Sequence, residues 1–258
     1  MFNKYIISGS LIESYEMEIP PFIPTNKPGG RVGKNNQSLD KDMSQLYKKK
    51  AVTQARNTLR RLIESNFHSA YLFLTLTFRP TTQLDVTNFD ECYEQFKNFI
   101  KRINSMLHYK KYDSMKYICI TEFQDTNQRG AIHYHVLCDL SSEISAYEVE
   151  SIWGLGNVYY KRETCGYKTN SIISNYLSKG MNDERLDGRK KYFNSHGLIR
   201  PTTYIADDPI YVSELLNQPN NTCLKSESYR SMHTGNTQIT EYYVQNKEEI
   251  LNHVKKIR

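Results

Sequence analysis

The chain has 258 residues, enough for one or two domains at roughly 150 residues each and for a core that needs no disulfide or metal staple. Hydrophobic residues make up 38%, mean hydropathy is -0.66 and the formal net charge is +6, a balance that admits a polyanionic partner. No apolar run reaches the ~18 residues of a spanning helix, no charged segment leads into an apolar stretch at the start, and the five cysteines (Cys92, Cys119, Cys138, Cys165, Cys223) form no CxxC pair; these features argue against a membrane partner, secretion, a disulfide framework and a common zinc site.

A reducing, cytoplasmic setting is the expectation. No GxxxxGK[ST] loop is present, so the chain is not expected to be its own ATP-driven motor.

Residues 20–37 are rich in glycine and proline and read as an irregular arm. From Ser38 or Asp40, either of which can cap it, a helix begins with a partial apolar face of Leu46, Val52, Leu59, Leu62 and Ile63. Arg56, Arg60 and Arg61 make its other faces basic and suited to tracking phosphates. Residues 71–78, YLFLTLTF, alternate cleanly and predict a strand. Residues 88–107 predict a helix, 116–123 a second strand, and 131–140 a third. The turn-rich link QDTNQRG makes the last two strands a hairpin. A short helix over 145–152, an edge strand over 157–161 and a helix over 170–179, stopped by Gly180, follow. The remainder is polar, with a late strand near 238–244 and a terminal helix from about Asn246. This order predicts an α+β fold: a central antiparallel sheet of about five strands with helices packed on one side.

The chemistry-bearing residues lie on these elements. In the strand IHYHV, His133 and His135 project from one face about 7 Å apart. A hairpin brings Glu122 beside them, with Asp125 and Asp139 as competing carboxylates. Two imidazoles and a carboxylate suit Mn²⁺ or Mg²⁺ acting on a phosphate, and can also hold Zn²⁺. On the helix carrying SNYLSK, Tyr176 and Lys179 are neighbours on one face. A tyrosine oxygen beside a metal-bound phosphate is a candidate nucleophile, and the lysine can supply positive charge.

Taken together, FLTLTF, then HYH with an upstream glutamate, then YLSK, resemble the three motifs of rolling-circle replication initiators (Rep proteins) of the HUH endonuclease superfamily, in their order. The stretches ARNTLRRLIESNF, RGAIHYHVL, WGLGNVYY and KYFNSHGLIRP resemble a bacterial plasmid or phage branch. The resemblance covers residues 50–201. It implies an N-terminal arm (1–40), a nicking-joining domain (41–201) and a C-terminal extension (202–258) that can pack on the same domain. It also implies a metal held by His133, His135 and Glu122, with Tyr176 attacking single-stranded origin DNA to leave a 5′-phosphotyrosyl link and a free 3′-OH. A host polymerase and a separate helicase are then the expected partners. Many relatives carry an aromatic residue after the lysine, where this chain has Gly180. A second strand transfer therefore requires Tyr176 of another subunit in a homodimer, another tyrosine such as Tyr167 or Tyr192, or water. Arg129, Lys161, Arg162, Arg189, Lys190, Lys191 and Arg200 are candidate phosphate contacts, and Tyr159, Tyr160 and Phe193 candidate base-stacking residues. The alternatives are a non-catalytic single-stranded nucleic-acid-binding module and a related single-tyrosine transposase.

Overall fold

The computed structural model describes residues 1–21, 41–68, 70–80, 83–125, 130–164 and 166–257. In chain order its elements are β1 (Phe2–Ser8), β2 (Leu11–Met17), α1 (Lys41–Asn66), β3 (Ala70–Thr77), α2 (Phe89–Tyr109), β4 (Tyr117–Gln124), β5 (Ala131–Cys138), α3 (Ala146–Trp153), β6 (Val158–Thr164), α4 (Tyr167–Ser178), β7 (Phe193–Asn194), β8 (Thr202–Ala206), α5 (Pro209–Leu216), β9 (Thr222–Ser231), β10 (Gly235–Tyr243), α6 (Lys247–Leu251) and β11 (Val254–Lys256). Two compact units result, residues 54–199 and residues 1–53 with 200–258. The architecture is α+β, with two antiparallel sheets.

The unit of residues 54–199 holds a five-stranded sheet in the order β6-β3-β5-β4-β7, antiparallel throughout. Its elements follow the order read from residues 71–179. On one face, Leu72, Leu74, Leu76, Cys119, Tyr134 and Val136 pack with the α2 stripe of Cys92, Phe96, Phe99, Ile103 and Leu107. The stripe has helical spacing, and Asn88 starts the helix by accepting from the backbone N–H of Asp90 and Glu91. A reciprocal capping box between Ser145 and Glu148 starts α3. Its last residue, Trp153, is buried against Phe78 and Phe99 and donates its indole N–H to the Thr77 carbonyl at 2.7 Å.

Helices pack on both faces of this sheet, which corrects the one-sided expectation. The second face carries Tyr71, Phe73, Thr75 and Thr77. Phe67, just past α1, meets Tyr71 edge to face, and Tyr176 of α4 meets Phe73. Two aromatic residues on this face offer enough apolar surface for α1 and α4 to cover.

The other unit is a six-stranded antiparallel sheet in the order β11-β8-β1-β2-β10-β9. Val212, Leu215 and Leu216 of α5 and Ile250 of α6 cover Tyr5, Ile7, Ile12 and Tyr242. Residues 2–17, expected within an arm, form a hairpin whose strands are central to this sheet. Its two-residue turn has Gly9 at a φ of 62°, a conformation that glycine adopts without strain. Residues 202–256 supply the remaining strands and both helices, so the expected arm and extension share one sheet. The rest of the expected arm, residues 22–40, lies outside the described residues. No helix among the described residues is long and apolar enough to cross a membrane.

Trp153→Ala removes the largest fully buried side chain of the five-stranded unit. It is expected to cost about 3–5 kcal/mol, measured as a lower urea midpoint by far-ultraviolet circular dichroism. An unchanged midpoint would contradict the packing described.

Candidate functional site

The site is set out by strand register. Glu122 of β4 pairs with His133 of β5, and His133 pairs with Thr77 of β3. One step along, His135 pairs with Ile120 on one side and with Thr75 on the other. Directly paired residues in neighbouring strands share a face. Glu122, His133, His135, Thr75 and Thr77 therefore lie on one side of the sheet, opposite the α2 and α3 core.

His135 is 5% exposed and bonded at both nitrogens. Its Nε2 lies 2.5 Å from the Glu122 Oε2, and its Nδ1 lies 3.0 Å from the Thr75 Oγ1. A carboxylate oxygen only accepts, so Nε2 carries the proton in the first bond. The Thr75 hydroxyl can then donate to Nδ1, and it can equally accept from an Nδ1–H. The hydrogen bond from His135 holds the Glu122 carboxyl below its ordinary range. Burial opposes this shift, while the charges of His135, His133 and Lys179 favour it. Glu122 is thus an anion at neutral pH.

The tyrosine helix arrives over the same face. The Tyr176 ring lies 5.3 Å from the His135 ring and 5.9 Å from Phe73, edge to face in both cases, and Phe73 stacks on His135 at 5.8 Å. Tyr176 stays 44% exposed. The Lys179 ammonium lies 5.9 Å from the Tyr176 ring centre. Partial burial, then the negative charge of Glu122, push the Tyr176 phenol above its ordinary value. These surroundings favour the phenol over the phenolate.

Three further contacts seat α4. A guanidinium nitrogen of Arg56 in α1 donates to the Ser178 carbonyl at 3.4 Å. The Asn170 amide donates to the buried Glu64 carboxylate at 3.1 Å. Past α4 the chain continues as a 3₁₀ turn, Lys179–Asn182, so Gly180 does not stop the helix as expected. A Cβ built on Gly180 would sit 3.1 Å from the Thr121 carbonyl oxygen. The missing side chain lets the turn lie against β4 beside Glu122.

The structure brings together Glu122, His133, His135, Tyr176 and Lys179. The competing carboxylates are engaged elsewhere: Asp125 with Arg185 through two hydrogen bonds of 2.8 Å, and Asp139 with the backbone N–H of Lys116. Two imidazoles and a carboxylate fit a divalent cation by donor type and by face. They are not spaced as a ready site, because Glu122 and His135 bond each other directly. No group of three or more His, Cys, Asp or Glu among the described residues is arranged to hold a metal ion.

The candidate phosphate contacts scatter. Arg162 shares the face of Leu72, and its guanidinium donates to the carbonyls of Leu140 and Ser141. Arg189 pairs with Asp90, and the half-buried Lys191 donates to the Leu186 carbonyl. Lys161 is exposed on the site face and pairs with Glu163. Lys190 and Arg200 are exposed, Arg60 is half-buried, and Arg129 lies outside the described residues. Tyr160 donates to the Ile144 carbonyl and Phe193 stacks on Tyr93, so both are packing residues. Sequence reading missed the roles of Thr75, Phe73, Glu64 and Asn170; the strand alternation of FLTLTF was the available signal for the first two.

Burial pushes the Glu64 carboxyl up from 4.5 to about 7, against the Asn170 hydrogen bond and the Arg60 charge that lower it. The folded state therefore holds this proton more tightly than the unfolded chain does. The resulting stability is full below about pH 4.5 and is lost as pH rises through about 7. Glu64→Gln is expected to flatten that fall, read as melting temperature against pH beside the wild type. Parallel curves would exclude Glu64 as the source.

A search of curated proteins finds no match to this chain. Among solved structures, the crystal structure of the hypothetical protein ORF119 from Sulfolobus islandicus rod-shaped virus 1 is similar at 12% identity. The likeness covers 50% of this chain and 93% of that one at a TM-score of 0.29, too loose a superposition to decide fold or function. Residues 71–181 match the family model of the ORF2-type replication-associated protein. That segment, less than half of the chain, runs from β3 to the 3₁₀ turn after the tyrosine helix and includes Glu122, His133, His135, Tyr176 and Lys179. The match supports a replication-associated protein with a role in replication initiation.

Proposed function

We propose that this chain is a rolling-circle replication initiator of the HUH endonuclease type, which nicks and rejoins single-stranded origin DNA. One observation carries the reading. Phe73, His135 and Tyr176 come from three separate motifs, and their rings lie within 5.3–5.9 Å of one another.

In this reading the Tyr176 oxygen attacks the scissile phosphorus. The P–O3′ bond breaks, and the phenolic proton ends on the departing 3′-oxygen. The products are a 5′-phosphotyrosyl link and a free 3′-OH that primes synthesis. Reversal with a new 3′-OH rejoins the strand, so no ATP is consumed. His133, His135 and Glu122 would hold Mn²⁺ or Mg²⁺, which when bound supplies positive charge to a phosphoryl oxygen. Lys179 positions the same phosphate and offsets the Glu122 charge that disfavours the phenolate. Thr75 accepts from the His135 Nδ1–H, the tautomer in which Nε2 offers its lone pair. The partners are then single-stranded origin DNA, a host polymerase and a separate helicase. A second transfer falls to Tyr176 of another copy in a homodimer or to water.

One feature favours a second reading, a non-catalytic single-stranded nucleic-acid-binding module. The Tyr176 phenol is pushed up, not down, by its surroundings. Covalent trapping separates the two. The protein is mixed with single-stranded oligonucleotides from its replicon and Mn²⁺, denatured, and the adduct mapped by mass spectrometry. An adduct on Tyr176 is expected, lost in Tyr176→Phe and on chelation, and formed ~10²-fold more slowly in Lys179→Met. Tight binding without an adduct, across the whole replicon with metal present, would sink the nicking reading.

Thr75→Val keeps the shape and loses the hydroxyl. It is expected to weaken Mn²⁺ binding about 10- to 100-fold by calorimetry, with Thr75→Ser near wild type. Equal affinity in all three proteins would remove Thr75 from the metal's support.

A further inference from the structure

The edge strand β6 splits its two adjacent tyrosines between the faces of the sheet. Tyr160 points into the α3 side, where its hydroxyl is bonded and Arg162 lies over its ring. Tyr159 pairs with Thr75, which pairs with His135, so Tyr159, Thr75 and His135 form one row across the site face. Neighbouring strands are about 4.8 Å apart, which places the Tyr159 backbone roughly 10 Å from that of His135. Tyr159 is 64% exposed, on the outermost strand. The small side chain of Thr75 stands between it and the site. Two residues along, Lys161 presents an ammonium on the same face.

We propose that Tyr159 is a stacking platform for an unpaired base next to the scissile phosphate, on a track running from the β6 edge to Tyr176. Three observations combine. The ring is exposed on the site's own face and in the row of His135. The spacing of ~10 Å corresponds to two or three nucleotides at the ~3.4 Å rise of a stacked strand, and fewer when the strand is extended. Cationic side chains flank the track at both ends, Lys161 at the edge and Lys179 beside the tyrosine. An aromatic face is sequence-tolerant, because every base has a π-face. Tyr159 would therefore hold the strand in place without reading its sequence. This inference rests on the nicking reading only for what lies at the far end of the track.

The test uses the full chain and a short single-stranded oligonucleotide carrying a fluorescent adenine analogue that dims on stacking, placed in turn at each position. Wild type and Tyr159→Phe are expected to quench the probe at one position and to bind alike. Tyr159→Ala and Tyr159→Thr are expected to lose the quenching and to bind about 10- to 100-fold more weakly. Tyr159→Thr keeps a strand-forming residue on the edge. If it behaves as wild type while Tyr159→Ala does not, strand propensity is responsible and the proposal fails. It also fails if both variants quench and bind as wild type. Adduct formation is followed in the same mixtures with Mn²⁺. Tyr159-dependent quenching without any adduct would leave the platform standing and sink the nicking reading. Quenching retained in Tyr176→Phe, where no adduct can form at that tyrosine, shows stacking independent of chemistry.

Discussion

The pairing register of β4 with β5 is the constraint on which the site depends. Side chains alternate along a strand, so a slip of one residue would send Glu122 into the core and turn Phe123 out. The buried partners exclude that slip. Cys119 and Phe123 on β4, with Ile132, Tyr134 and Val136 on β5, belong to the core beneath α2 and α3. Burying Glu122 or His133 there without partners would cost several kcal/mol. The apolar face thus specifies the polar one, and β3 obeys the same rule: its leucines fix where Thr75 and Phe73 point.

On this frame the Glu122 carboxylate has two opposed effects. It orders His135 through a direct hydrogen bond, and its charge raises the cost of ionising Tyr176. The arrangement is self-satisfied at rest, so the tyrosine becomes a better nucleophile only when that charge is offset. The seating of α4 is also largely polar. Arg56 meets a helix-end carbonyl, and Glu64 meets Asn170. Such contacts are directional, and they fix the rotation of the helix more tightly than apolar packing alone would.

Much of the five-stranded unit was legible in the sequence because its pattern is strong. YLFLTLTF alternates without interruption, and the α2 stripe keeps helical spacing over five residues. The histidine pair and its glutamate were legible for the same reason, since alternation and a hairpin put them on one face. The limits are equally physical. Strand β9, TCLKSESYRS, is mostly exposed and has no apolar alternation; its backbone pairing with β10 places it. The hairpin of residues 2–17 hides behind a contiguous Tyr5-Ile6-Ile7 run that does not alternate. Arg162 reads as a phosphate contact beside Lys161, though adjacent strand residues face opposite ways and only Lys161 shares the site face. The hydrogen bond from Thr75 to His135 joins residues 60 positions apart, a separation that no local pattern encodes.

The six-stranded sheet has a consequence for synthesis. Its central strands β1 and β2 lie at one end of the chain, while the strands that flank them, β8 and β10, come from residues 202–243. A lone two-stranded hairpin is marginally stable in water. During translation β1 and β2 must wait, with their outer edges open, while the continuous segment 54–199 emerges and can fold first. That ordering makes the nascent hairpin a stretch of exposed strand edge for most of synthesis, and closing the sheet the last event in maturing the chain.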